Sequence, residues 1–351
     1  MKAYIQSAAS LTAQATLESL GMPEEFVNLS GVKLKGLDPD YKKFISPVAA
    51  RRMGRIIKMG VASAMVCMER ANDKNPDAII VGTAMGCVED TEDFLLKMID
   101  NNESLLTPTS FIQSTHNTVG GQIALLIGCN NYNFTYVHRG FSFESALLDA
   151  MLLLQEGEAE KVLVGGLDEV SQNHFDIYNK LGNWKTCSSS LQSIAEKGQG
   201  VLAGEGSTFL MISKSKDDKT LAQIQGMEMV YQPNTVKIRE AVEKLLVEND
   251  LSTDDIDLII PGLNGHSEEE KVYNEIFTIF PQKAIAGFKH YCGEFPTASA
   301  VGLYFAAYVI KNQKIADIAW LGKDKSQSFK HILLCNNYGK DYFSILLISQ
   351  C

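Results

Sequence analysis

Residues 128–169 have the layout that activates a nucleophile, yet the decisive position is empty. A β-branched and aromatic run at 133–138 leads into a turn at Arg139-Gly140. An amphipathic run at 141–155 follows, Gly157 closes it, and residues 161–164 start a strand that ends in Gly165-Gly166. In a strand–elbow–helix–strand unit the elbow residue meets the helix N-terminus, where the dipole lowers a thiol's pKa and makes it reactive. Here that residue is Gly140, which has no side chain to attack with.

Other reactive groups lie close by. His138, Ser142 and Glu144 flank the elbow, and a hydroxyl, an imidazole and a carboxylate together suggest a hydrolase. However, His138 falls on the strand and could equally be an interface histidine. Ser142 falls inside the helix and is expected to help cap it. His266 precedes Glu268, Glu269 and Glu270. One histidine before a run of carboxylates is not a metal spacing. A solvated acidic helix start is expected there, since glutamate is favourable near an N-terminus. The sequence suggests no metal and no cofactor.

The elements that must position these groups follow an alternating pattern. Strand signals fall at residues 78–81, 134–137, 161–164, 207–212, 258–260, 332–335 and 343–348. Most are short apolar runs, as in strands buried on both faces. Helical patterns cover 46–70, 91–101, 120–127, 141–155, 236–248, 268–277 and 297–311. The alternation predicts an α/β architecture with helix-covered sheets. A charged break at 214–219 is a plausible seam, giving halves at 1–215 and 216–351. Ser252-Thr253-Asp254-Asp255 reads as a start signal inside the second half. No short repeat or low-complexity tract is visible.

Composition bounds the function. The chain has 351 residues, 45% hydrophobic and 21% charged, with a formal net charge of −10. That balance argues against a nucleic-acid or anionic-membrane surface, since both need clustered cations. The cysteines are Cys67, Cys87, Cys129, Cys187, Cys292, Cys335 and Cys351, with no CxxC pair. An odd, scattered set fits a reducing compartment. With no secretory h-region and no long apolar span, a cytoplasmic protein is expected. Arg51, Arg52, Arg55 and Lys58, near Lys42 and Lys43, form the most basic helical face.

The pattern as a whole resembles the β-ketoacyl synthases of the thiolase-like fold. Arg51-Arg52-Met53 is similar to that family's R(K/R)M helix, and residues 81–86 (VGTAMG) to its VGTGxG strand and loop. Residues 121–128 are similar to its GQIAxxxG helix, 158–169 (EAEKVLVGGLDE) to DADxxLAGGxxE, and 204–212 to GEGAxxLVLE. The order and the near-ungapped spacing extend the resemblance over nearly the whole chain. It implies a fold of two similar halves, with mixed sheets layered between helices (αβαβα).

Such enzymes use one cysteine and two histidines. The thiolate takes an acyl group, and the histidines assist decarboxylation and stabilise the enolate oxygen. The cysteine's place lies twelve residues after Gly128 and seventeen before Gly157, and both counts land on Gly140. The first histidine's HGTxTxxxD loop corresponds to residues 262–270, where Gly262 replaces the histidine and Glu270 stands for the aspartate. The second histidine's KSxxGHxxxAA(G/S) run corresponds to 289–300; Lys289 and Gly293 stay, but Glu294 replaces the histidine. The NSFGFGGTN loop corresponds to Asn336-Asn337-Tyr338-Gly339-Lys340-Asp341, with Lys340 at the gating position and about two residues lost. All three catalytic groups are absent.

The resemblance implies a pseudo-site lined by Phe141, Ser142, His138, Asn264, Lys289, Cys292 and Lys340. Cys292 and His290 could rescue chemistry there; the competing reading is a buried cysteine, which usually packs as a small hydrophobe, and a loop histidine. Glu294 with Lys289, Lys340 and Asp341 is expected to form a charged cluster, because buried charges need partners.

The resemblance also implies a noncatalytic homologue of the chain-length-factor class, which pairs with an active ketosynthase in fatty-acid, polyene or type II polyketide pathways. In this fold the strand at 134–137 commonly pairs across a two-fold dimer. Tyr136, Phe141 and Phe143 are then candidate stops for a partner's acyl tunnel, or ordinary core aromatics. The implied partners are an active ketosynthase (a heterodimer) or a second copy (a homodimer), and an acyl carrier protein, whose acidic surface would suit the basic face. Alternatives are a thioester transferase or hydrolase using a non-standard residue, and a homodimeric acyl or carrier-protein binder.

Overall fold

Neighbouring residues along each buried strand belong to different cores, and this period-two alternation sets the layering. The computed structural model describes every residue except 1, 24, 32, 105, 107, 186–188 and 323–327, together with all side chains of the described helices and strands except 192 and 193. Cys187 therefore lies outside the described residues.

The strands are β1 (Ala3–Leu11), β2 (Lys33–Leu34), β3 (Ala78–Gly82), β4 (Tyr132–Tyr136), β5 (Lys161–Asp168), β6 (Ala203–Gly204), β7 (Gly206–Ser213), β8 (Ala222–Tyr231), β9 (Leu258–Pro261), β10 (Ala284–Ile285), β11 (His331–Tyr338) and β12 (Tyr342–Ser349). The helices are α1 (Pro47–Ala50), α2 (Arg55–Ala71), α3 (Val88–Asp100), α4 (Pro108–Gln113), α5 (Thr118–Ile127), α6 (Ser142–Glu156), α7 (Gln172–Lys180), α8 (Ser190–Ala195), α9 (Thr235–Val247), α10 (Tyr273–Ile279), α11 (Lys289–Cys292) and α12 (Ser299–Asn312).

Ten strands form one mixed sheet in the order β10-β9-β11-β12-β8-β1-β7-β5-β3-β4; β2 and β6 pair separately. Either side of the antiparallel β1–β8 contact the same arrangement recurs. β1-β7-β5-β3-β4 and β8-β12-β11-β9-β10 each run antiparallel, antiparallel, parallel, parallel. The fold is thus two similar α/β halves.

Ala78, Ile80, Leu258, Ile260, Ile332 and Leu334 face a shared inner core with α6 and α12. Ile79 and Val81 face α2 on one outer side, and Ile259 and Leu333 face α9 and α10 on the other. The layers therefore run helix, sheet, helix, sheet, helix. No helix among the described residues is long and apolar enough to cross a membrane.

Several expectations need correction. The helical pattern at 46–70 is two helices: Ser46 caps α1 by accepting from the Ala49 amide, and the chain turns extended at Gly54 before α2. Ser252 starts only a single 3-10 turn, Thr253–Asp255, closed by a capping box with Asp255. The acidic start at 268–270 is not fully solvated. Glu270 is buried and accepts the Gly265 amide at 2.6 Å, and His266 Nδ1 accepts from the amides of Glu268 and Glu269. Arg55 is not part of a surface face; it turns inward to Glu205 at 2.5 Å and to Asp38 at 3.0 Å.

At one end of the sheet β4 has no outer neighbour among the described residues. Tyr132 and Phe134 are 44% and 47% exposed there, so this edge is both unpaired and aromatic.

Candidate functional site

The elbow forms where the sequence places it. His138 leads into a 3-10 turn, Arg139–Phe141, and α6 follows directly. Arg139 takes a left-handed φ of 50°, a conformation disfavoured for a side-chain-bearing residue. Ser142 does not cap the amides of α6. Its hydroxyl accepts the His138 amide and donates to the Arg139 carbonyl, both at 2.8 Å, and so ties the elbow shut. The reason is geometric: the 3-10 turn brings those groups to the hydroxyl before the helix begins. His138 itself is exposed, its ring edge-on to Phe141 and to Tyr342, with a long 3.4 Å contact to the Ser145 hydroxyl.

Gly140 is buried against the β11–β12 hairpin. A Cβ built there would lie 2.7 Å from the Cβ of Tyr342 and 2.9 Å from the Cβ of Tyr338. Those atoms are anchored to backbone, so no rotamer change relieves the contact. The hairpin is tight: Tyr338 pairs with Tyr342 across Gly339, Lys340 and Asp341, and Gly339 has φ 61°. The shortened loop thus brings two tyrosine stems onto the elbow. Phe141 is buried with its ring edge-on to Tyr342 at 5.1 Å.

The other two positions are filled as well. Gly262 follows β9, and a Cβ there would run into Asn336 Oδ1 and lie 3.0 Å from the Tyr273 hydroxyl and 3.2 Å from Lys289 Cε. Glu294 is 4% exposed and accepts Lys289 Nζ on one oxygen at 2.6 Å and Asn264 Nδ2 on the other at 2.8 Å. Asn264 also donates to Glu269 at 3.0 Å. Burial holds the Glu294 carboxyl above its usual range, and the Lys289 ammonium opposes that rise. The expected four-member cluster is therefore one buried ion pair with Asn264 bridging. Lys340 stands exposed at the hairpin tip next to Asp341; it lines the same cavity as Glu294, but among the described residues it makes no ion pair with it.

The rescue candidates fail on burial. Cys292 faces the inner core, not the site, with Sγ 3.3 Å from the Gly293 carbonyl. Burial pushes its thiol up to about 12, so it holds no thiolate at neutral pH. His290 is buried against Phe26 and Tyr291, and desolvation pushes it down to about 3, leaving it uncharged.

The scaffold beneath the elbow is intact. Asp168, buried at the end of β5, accepts from the Thr83 hydroxyl, the amides of Ala84 and Met85, and the amide and hydroxyl of Thr297. One carboxylate thereby joins the loop after β3, strand β5 and the segment before α12. Burial still raises it to about 6.

A cavity of about 770 Å³ lies beside the filled elbow, lined by Tyr178, Trp184, His266, Glu294, Tyr338 and Lys340 among others. Tyr178, Trp184 and Tyr342 were not singled out in sequence. The nearest signal for Tyr342 is the four-residue spacing of tyrosines around the shortened turn.

Comparison with known proteins places this geometry. Residues 32–244, more than half of the chain, match the family described as "Beta-ketoacyl synthase, N-terminal domain". Over 137 residues the chain is 26% identical to the 3-oxoacyl-[acyl-carrier-protein] synthase 2 of Synechocystis sp. (strain ATCC 27184 / PCC 6803 / Kazusa). That match covers 37% of this chain and only 33% of the relative. The crystal structure of a β-ketoacyl synthase from Burkholderia phymatum STM815 superposes with a TM-score of 0.83 at 14% identity, covering 100% of this chain and 99% of the other. The ketosynthase ApeO in complex with its chain length factor ApeC, from Xenorhabdus doucetiae, gives 0.80 at 14% identity, with 99% and 98% covered. At such identities the superpositions speak for the fold alone.

Proposed function

The chain belongs to the β-ketoacyl synthase family, and from that premise we propose that it is a noncatalytic member. In this reading it acts as a chain-length-factor-like subunit beside an active ketosynthase, in fatty-acid, polyene or type II polyketide synthesis. One observation carries the proposal: the three positions of the catalytic set lack their groups, and two of them, Gly140 and Gly262, have no space for a side chain. A Cβ at 140 meets Tyr338 and Tyr342, a Cβ at 262 meets Asn336, and Glu294 is neutralised by Lys289. These contacts leave no room for a side chain at position 140 or 262 without movement of the neighbouring segments. The buried Cys292 and the uncharged His290 speak against a thioester transferase or hydrolase.

The unpaired β4 edge supports a partner subunit, since an exposed aromatic edge strand invites pairing. Of the three candidate tunnel stops, Phe143 belongs to the inner core and Phe141 packs on Tyr342. Tyr136, at the end of β4, packs partly on the inner core and on Phe134, and its remaining exposure is compatible with a partner contact. Lys42, Lys43, Arg51 and Arg52 are exposed and suit an acidic carrier protein. A cytoplasmic setting, with halves at 1–215 and 216–351, completes the reading; the strand order repeated on either side of β1–β8 supports that division.

The test is co-expression with a ketosynthase that keeps its Cys-His-His set. We expect co-purification, a product length that changes when this chain is omitted, and no condensation by this chain alone. Condensation by the isolated chain, or an unchanged product length without it, overturns the proposal.

A further inference from the structure

Helix α3 starts without a cap of its own. Cys87 stands at its N-cap and makes no side-chain capping bond. The acceptor comes instead from the residue after β5: Glu169 Oε1 takes the Glu89 amide, the second of the helix, at 3.2 Å. Next to it, Asp168 takes the amides of Ala84 and Met85. Glu92 accepts the Ser171 hydroxyl at 2.6 Å and the Asn173 amide at 3.1 Å. These polar contacts fasten the start of α3 to the body of the fold. Apolar burial adds little: of its 13 residues only Val88 is buried. Helix α4 meets α3 through Phe111 and Phe94, with ring centroids 5.6 Å apart, and buries none of its own residues. Elements with so little buried surface open at a lower free energy than the core.

The anchor is an acid among acids. Glu169 is 3% exposed. Glu89 and Asp90 face it from α3, and Glu205 from the turn before β7. Cys87 is there too, kept protonated by burial. The neighbouring cations are engaged elsewhere. Arg55 holds Glu205 and Asp38, and Lys33 donates to the Val170 carbonyl at 3.4 Å and lies over the Phe175 ring. Lys58 and Lys97 act on Asp90, which shares a cavity with Arg51 and Arg52. Among the described residues no cation forms an ion pair with Glu169. The helix end and the Glu89 amide favour the ionised form. Burial outweighs them, with repulsion from Glu89, Glu205 and Asp90 added to it.

We propose that Glu169 is a pH-sensitive latch: it holds the first turn of α3 while protonated, and releases the α3–α4 arm when it ionises and moves into water. With the arm closed the carboxyl is raised from 4.5 to about 8. Opening between those values releases one proton, so the opening equilibrium rises about ten-fold per pH unit and levels off above about pH 8.

Hydrogen exchange of the full chain, mapped by peptide and corrected for the intrinsic pH dependence of exchange, tests the latch. Protection across α3 is expected to fall about 100-fold between about pH 5.5 and 7.5. The fully buried strand β3 should stay better protected than α3 throughout. Glu169→Gln keeps the acceptor and removes the titration, so it should hold α3 protection level over that range. Cys87, buried at the start of α3, should be alkylated faster in wild type than in Glu169→Gln at about pH 7.5. Should Glu169→Gln not fold, Asp90→Asn decides: it relieves the ionised carboxyl of one neighbour and should recover part of the α3 protection at about pH 7.5, and no recovery would count against the latch. A wild-type α3 whose protection is indifferent to pH, or that exchanges as slowly as β3, overturns the proposal. So does a Glu169→Gln protein with the same pH slope as wild type.

Discussion

Placing a thiol at Gly140, where the proposed function puts a lost nucleophile, is the most direct perturbation, and the close packing there predicts a measurable cost. In Gly140→Cys the new Cβ falls 2.7 Å from Tyr342 Cβ and 2.9 Å from Tyr338 Cβ. Comfortable carbon–carbon separation is about 3.5–4.0 Å, so relief requires the hairpin to move by roughly 1 Å. Overpacking of this kind costs about 1–3 kcal/mol, and the upper half of that range fits because both obstacles are anchored Cβ atoms. At about 2–4 °C per kcal/mol, the melting midpoint should fall by several degrees. Gly140→Ala adds only the Cβ and should show most of the same loss. The assay is thermal and urea unfolding of wild type and both variants, with iodoacetamide labelling mapped at position 140. We expect destabilised variants and slow labelling. Variants as stable as wild type, with a rapidly alkylated thiol at position 140 in Gly140→Cys, would show that the hairpin does not seal the elbow, and the noncatalytic reading would lose its basis.

Three further outcomes follow from the buried charges and thiols. Lys289→Met leaves Glu294 unpaired in the interior and should cost about 3–5 kcal/mol by denaturant unfolding, while Lys289→Met/Glu294→Leu should cost less because no lone charge remains. Glu169 is 3% exposed and burial raises its carboxyl from 4.5 to about 8. The folded state thus keeps a proton that the unfolded chain has released, so stability should fall as pH rises from about 4.5 through 8, and Glu169→Gln should flatten that decline. Iodoacetamide at pH 8 should label exposed Cys351 and leave buried Cys67, Cys292 and Cys335 untouched until the protein is unfolded, as peptide mapping would show.

Legibility in the sequence tracked how local each feature is. The elbow was readable because a strand run, a glycine turn and an amphipathic run closed by Gly157 follow one another within a short stretch, and α6 begins within one residue of its expected start. Strands rich in Val, Ile and Leu, such as β3, β9 and β11, were readable from their apolar runs. The joining pair β1 and β8 was not. Alanine, serine, glutamine and methionine outnumber its strand-favouring residues, and these have little intrinsic strand preference. Its burial between two halves makes it strand. The inward turns of Arg55 and Glu270 were likewise invisible, because their partners Glu205 and Gly265 are brought there by the fold.

Sequence alone determined the α/β class and the acidity of the chain, since residue types at regular spacing carry those directly, and its resemblance to the family's motifs singled out Gly140, Gly262 and Glu294. Only the tertiary structure decided that the backbone at Gly140 and Gly262 is packed too closely to carry a side chain. That outcome depends on Tyr338, Tyr342, Asn336 and Lys289, which reach Gly140 and Gly262 from far along the chain, and close contact between distant segments leaves no periodic trace in either one.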